Sequence, residues 1–80
     1  MKRTSIQKLV ENETLGNLRK AEKAIVEEKV PPIEVEGENE GEKLTHVLAA
    51  SWILEKIKKG KMNFQEAFRA YAKRVRSAIG

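Results

Sequence analysis

Hydrophobic positions in this chain recur at helical spacing over most of its 80 residues. The densest apolar run is Leu44 to Ile57, read as the central helix. At about 100° per residue, Val47, Ala50, Ile53, Leu54 and Ile57 share one arc. Leu44, Leu48 and Trp52 form a second arc, bordered by Thr45, Lys56 and Lys59. A surface helix normally carries one apolar stripe. Two arcs predict packing on two sides, against other helices of the chain or against a second subunit.

The same periodicity predicts four helices, near residues 5–11, 14–28, 40–59 and 64–78, with an acidic loop over 30–39. In the first region Ile6, Leu9 and Val10 lie on one face. Leu15, Leu18, Ala21 and Ile25 share another, rotated by roughly 100°. Together with Gly16, that rotation places a break at Asn12 to Thr14. Thr4 with Gln7, Asn39 with Glu42 and Asn63 with Glu66 have capping-box spacing, and Asn12 or Thr14 can cap the second helix. Val30-Pro31-Pro32 ends that helix, because proline disfavours helical geometry at the residue before it. Ile33 and Val35 are positioned to dock on the helices, while Glu36 to Gly41 is expected to be mobile. In the last helix Phe64, Ala67, Phe68, Tyr71, Val75, Ala78 and Ile79 share one face. The short connection after Gly60 makes the last two helices an antiparallel pair.

The fold class that follows is all-α, a small three-to-four-helix bundle in a single domain over 1–80. Hydrophobic residues make up 40% of the chain and charged residues 35%, which suffices for a core. There is no cysteine, so no disulfide or thiolate metal site contributes. No stretch approaches the roughly 20 apolar residues of a membrane span. No apolar signal core follows Met1-Lys2-Arg3. The expectation is a cytoplasmic protein with no membrane role.

Glu66-Ala67, Ala70-Tyr71, Lys73-Arg74-Val75 and Ile79 carry a resemblance over roughly the last 40 residues. This half resembles a group of small uncharacterised bacterial helical proteins, in which an apolar helix leads through a Lys/Gly-rich turn into a closing helix. The resemblance implies an all-helical fold and brings no activity.

Candidate chemistry is sparse. The single histidine, His46, lies four residues after Glu42, a spacing that can present two metal ligands on one helix face. With no third ligand nearby, His46 reads as a polar residue in a buried helix, and neither a metal nor a cofactor is expected. The chain has no aspartate, so no Ser-His-Asp triad can form. The paired glutamates lie in a solvated loop, where nothing would raise the pKa of one of them. Catalytic residues are therefore not assigned, and an enzyme is not expected.

Charge is unevenly distributed. Residues 30–43 carry net −4 and residues 44–80 net +6, within a total of +4. Lys58, Lys59, Lys61, Arg69, Lys73, Arg74 and Arg76 form a candidate basic surface around the last turn and helix, able in principle to track phosphates. The candidate interaction surface is Leu44, Leu48 and Trp52, since tryptophan is enriched at interfaces. The leading expectation is a non-catalytic protein-interaction module with an unknown protein partner. A nucleic-acid binder using the basic face is the alternative. A homodimer through the second arc competes with a monomer, and the two phases of the first helical region tilt the reading to the monomer.

Overall fold

The computed structural model describes the backbone of residues 2–60 and 62–79, with side chains through Arg76. Four helices follow in order: α1 (Arg3–Asn12), α2 (Leu15–Val26), α3 (Glu40–Lys58) and α4 (Phe64–Ile79). No strand occurs among the described residues.

The local signals act where their partners are close in sequence. Glu13 and Thr14 are extended, which breaks α1 from α2, and the Thr14 hydroxyl accepts from the Asn17 N–H at 3.1 Å. The Asn39 side chain caps α3 by accepting from the Glu42 N–H at 2.8 Å. Asn63 and Glu66 form a complete box at α4, each side chain accepting from the other's N–H, at 2.9 and 3.3 Å. The Thr4–Gln7 box does not form. Helix α1 starts earlier, after Lys2, and the Gln7 amide donates to Glu11 instead. The physical reason is a long-range anchor: the Lys2 N–H, otherwise an orphan at a helix start, donates to His46 Nε2 at 3.0 Å.

Helix α2 ends two residues before the expected boundary, in a Schellman turn. Lys29 N–H donates to the Ala24 carbonyl and Glu28 N–H to that of Ile25, with Glu28 at φ 59°. Glycine usually occupies that left-handed position.

Each of the other three helices packs on α3. Arg19 and Glu55 meet at one end of the α2–α3 pair, while Ile25 and Lys29 share a hollow with Glu40 and Lys43 at the other, so the two helices are antiparallel. The α3–α4 pair is antiparallel as well, since Trp52, six residues before the end of α3, meets Tyr71, seven after the start of α4. The core comprises Ile6 and Leu9; Leu18, Ala21 and Ile25; Val35; Val47, Ala49, Ala50, Ile53 and Leu54; and Ala67. Each large side chain fully buried there contributes about 1.5–3 kcal/mol.

Two expectations change. The molecule measures 32 × 29 × 19 Å, and its thin dimension is about two helix diameters. Only α3 is enclosed, so Phe64, Phe68, Tyr71 and Val75 of the last helix's stripe are half-buried and Ala67 alone is fully covered. The side chains of Ala78 and Ile79 lie outside the described residues. The acidic segment is also docked further than expected. Val35 is buried, the Glu36 carbonyl bonds to His46 Nδ1 at 2.8 Å, and a Cβ on Gly37 would meet the Lys43 backbone nitrogen at 2.9 Å.

Candidate interaction surface

The sequence of α3 distributes its neighbours around it. His46, Ala50 and Ile53 are buried, on the arc to which Lys2 attaches. Trp52 and Lys56 lie on the α4 side, with the Trp52 and Tyr71 rings 5.6 Å apart. Glu55 lies toward α2, where Arg19 reaches it at 3.8 Å. The same side of α3 as Glu55 carries Leu44, Leu48 and Ser51. Leu48 is 39% exposed, Leu44 is half-buried, and Trp52 closes the α4 edge. The Ser51 hydroxyl is enclosed there without a hydrogen-bond partner.

The second apolar arc is thus neither fully buried nor fully exposed. Trp52 and Leu44 pack against the core within the chain, and Leu48 is the exposed member of the arc. On α2, Val26 is 64% exposed, off the buried Leu18–Ala21–Ile25 stripe.

Basic residues frame this arc on the α4 side. The Lys56 ammonium lies 5.1 Å from the Trp52 ring centre. Burial pushes the Tyr71 phenol above its ordinary range, and the charge of Arg74, three residues on along α4, draws it partly back. Of the candidate basic surface, Lys58, Lys59, Arg69, Lys73, Arg74 and Arg76 are all exposed, while Lys61 lies outside the described residues. Arg69, Lys73 and Arg76 fall within one narrow arc of α4 opposite Ala67. Lys59 does not stand free: it pairs with Glu55 at 3.1 Å, and with Arg19 it holds that carboxyl below the ordinary glutamate range.

His46 is fully buried, and its ring is committed to the backbone on both sides. The Lys2 N–H can only donate, so Nε2 accepts, and Nδ1 must carry the proton given to the Glu36 carbonyl. This assignment of the tautomer rests on the hydrogen-bond network. His46 therefore attaches the N-terminal segment and the acidic loop to α3, a role that its spacing from Glu42 along one helix could not reveal. Arg3 is a second such link, 5.8 Å from the Phe64 ring centre and 5.7 Å from that of Phe68.

The chain matches the model of a family of unknown function, DUF6952, over residues 1–80, and belongs to that family. The family likeness is not confined to the C-terminal half. Comparison with curated proteins and with solved structures gave no match.

Proposed function

We propose that this member of a family of unknown function is a non-catalytic interaction module that docks a partner protein on the open side of α3. The observation that supports the reading is Leu48, 39% exposed beside the half-buried Leu44 and Trp52 although α3 is packed on its other sides. An apolar centre with a charged rim is the usual anatomy of a recognition surface. The commitment of His46 to backbone groups supports a non-catalytic role, since it removes the chain's one imidazole from proton transfer. The proposal includes a monomeric free chain in a bacterial cytoplasm; the resemblance of the C-terminal half supports the bacterial setting.

The test is affinity capture with the wild type and Leu48→Lys, with far-UV circular dichroism checking that both fold. Partners retained by the wild type and lost with Leu48→Lys are expected. An identical retained set would defeat the reading.

Nucleic-acid binding is the second reading, supported by the aligned and exposed Arg69, Lys73 and Arg76, none of which joins an ion pair among the described residues. Mixed-sequence DNA should then bind with an affinity that falls steeply with salt, and alanine at these three positions should flatten that slope.

A further inference from the structure

We infer that His46 is a proton-operated release for the N-terminal end of α1: a proton on Nε2 takes the lone pair that holds the Lys2 N–H, and the first turn of α1 then comes away from α3.

Geometry sets up the competition. His46 is fully buried, with Nε2 3.0 Å from the Lys2 nitrogen and Nδ1 2.8 Å from the Glu36 carbonyl oxygen. A neutral imidazole has one donor and one acceptor, and both are used here. An imidazolium has two donors and no acceptor. The Glu36 carbonyl can receive a hydrogen bond from either form. The Lys2 N–H can bond only to the neutral one, because on the cation it would meet a second N–H. The proton and the backbone donor are therefore alternatives at one atom. If both stayed in place, the Lys2 N–H would be an orphan at a helix start and the ring a buried cation facing it, and both are costly.

The surroundings give the cation no substitute partner. Among the described residues no carboxylate bonds to either ring nitrogen. Lys2 and Lys8 of the α1 side line a hollow with Glu36, Glu38 and Glu42, and Lys43 lies against Gly37 at its edge. The Glu36 carboxylate is turned to Ser5 and Lys8, which hold it below the ordinary glutamate range, so it stays ionised while a histidine titrates. The end of α2 brings Glu28 and Lys29 to Glu40 and Lys43, a cluster of mixed sign. Helix α4 meets this end of α1 through the uncharged Phe64 and Phe68, under Arg3. The pH response of the Lys2 attachment thus belongs to the imidazole.

The test is amide hydrogen exchange at pH 7.5 and 5.5, expressed as protection factors. Ile6, whose N–H donates to the Lys2 carbonyl at 3.2 Å, reports the first turn of α1, and Ile53 reports the core of α3. A free imidazole of ordinary pKa, about 6.5, takes up a proton across that interval. Where only the open form can bind it, opening becomes about tenfold more favourable. Ile6 protection should therefore fall about tenfold from pH 7.5 to 5.5, and should lie below that of Ile53 at both. His46→Gln keeps every other titratable group, the amino terminus included, and should abolish the fall. Nitrogen-15 spectra of the wild-type imidazole follow the same step without a variant. Nε2 should be the unprotonated nitrogen at pH 7.5, and the Lys2 amide should shift with the midpoint at which Nε2 gains its proton. The inference is overturned if Nε2 already carries the proton at pH 7.5, or if it gains one while the Lys2 amide stays unmoved. It is also overturned if Ile6 protection does not change, or if it falls equally in His46→Gln. Equal protection of Ile6 and Ile53 would overturn it too, since Lys2 would then be freed only by unfolding of the whole chain.

Discussion

Glu36 shows how a half-exposed residue can be fixed from several directions. Its carbonyl accepts from His46 Nδ1, and its carboxylate lies 3.4 Å from Lys8 Nζ. The Ser5 hydroxyl and then the Lys8 ammonium hold that carboxyl below the ordinary glutamate range. A depressed carboxyl favours the folded state above the ordinary range and loses that contribution as the pH falls through its own, lower value. Carboxyl NMR titration should find Glu36 below the ordinary glutamate range, and Ser5→Ala should move it upward; a Glu36 that titrates within that range would contradict the contact. Residue-scale features were legible where they were local. Thr14, Asn39 and Asn63 cap as their sequence indicates, since donor and acceptor are three residues apart. Thr4 had the same signature and failed, because Lys2 found its partner on His46, 44 residues away. No window along the chain contains that competitor.

Among the elements, the end of α2 carries an avoidable strain. Glu28 adopts a left-handed backbone, which costs a non-glycine residue about 1–2 kcal/mol. Glycine recovers that strain but loses more chain entropy on folding. Glu28→Gly should therefore stabilise the protein by about 1 kcal/mol, raising Tm by several degrees for a domain of this size. A lower Tm would mean that the turn is not held as described. Helix positions were readable because periodicity reports which face is apolar. The depth of burial was not, because it depends on how many layers surround the helix. The last helix has the clearest stripe in the sequence, yet Phe68 at its centre is only half-buried, with Arg3 over the ring. By contrast, α3 lacks a single stripe because three helices cover it, and its two arcs correctly signalled a central position.

For the molecule as a whole, the sequence announced a three-to-four-helix bundle and the Leu44–Leu48–Trp52 arc, but not which member of that arc stays exposed. That depends on α4 turning Tyr71 onto Trp52. The same arrangement has a kinetic consequence. Helices α3 and α4 are joined by a five-residue turn and α2 reaches α3 across 13 residues, whereas the His46 clasp on Lys2 closes a separation of 44. Closing the longest of these loops costs about 1 kcal/mol more chain entropy than closing the 13-residue one. Helix α1 is thus the last to gain by docking, and its contacts should be weakly formed at the folding barrier. Stopped-flow chevrons should give Ile53→Val a φ-value of about 0.5 or more and Ile6→Val one below about 0.3. Truncating α1 contacts would then accelerate unfolding and leave refolding nearly unchanged, and equal φ-values at the two sites would refute that order. On this account the N-terminal helix acts as a latch: it closes on a three-helix nucleus and chiefly sets how long the native state persists.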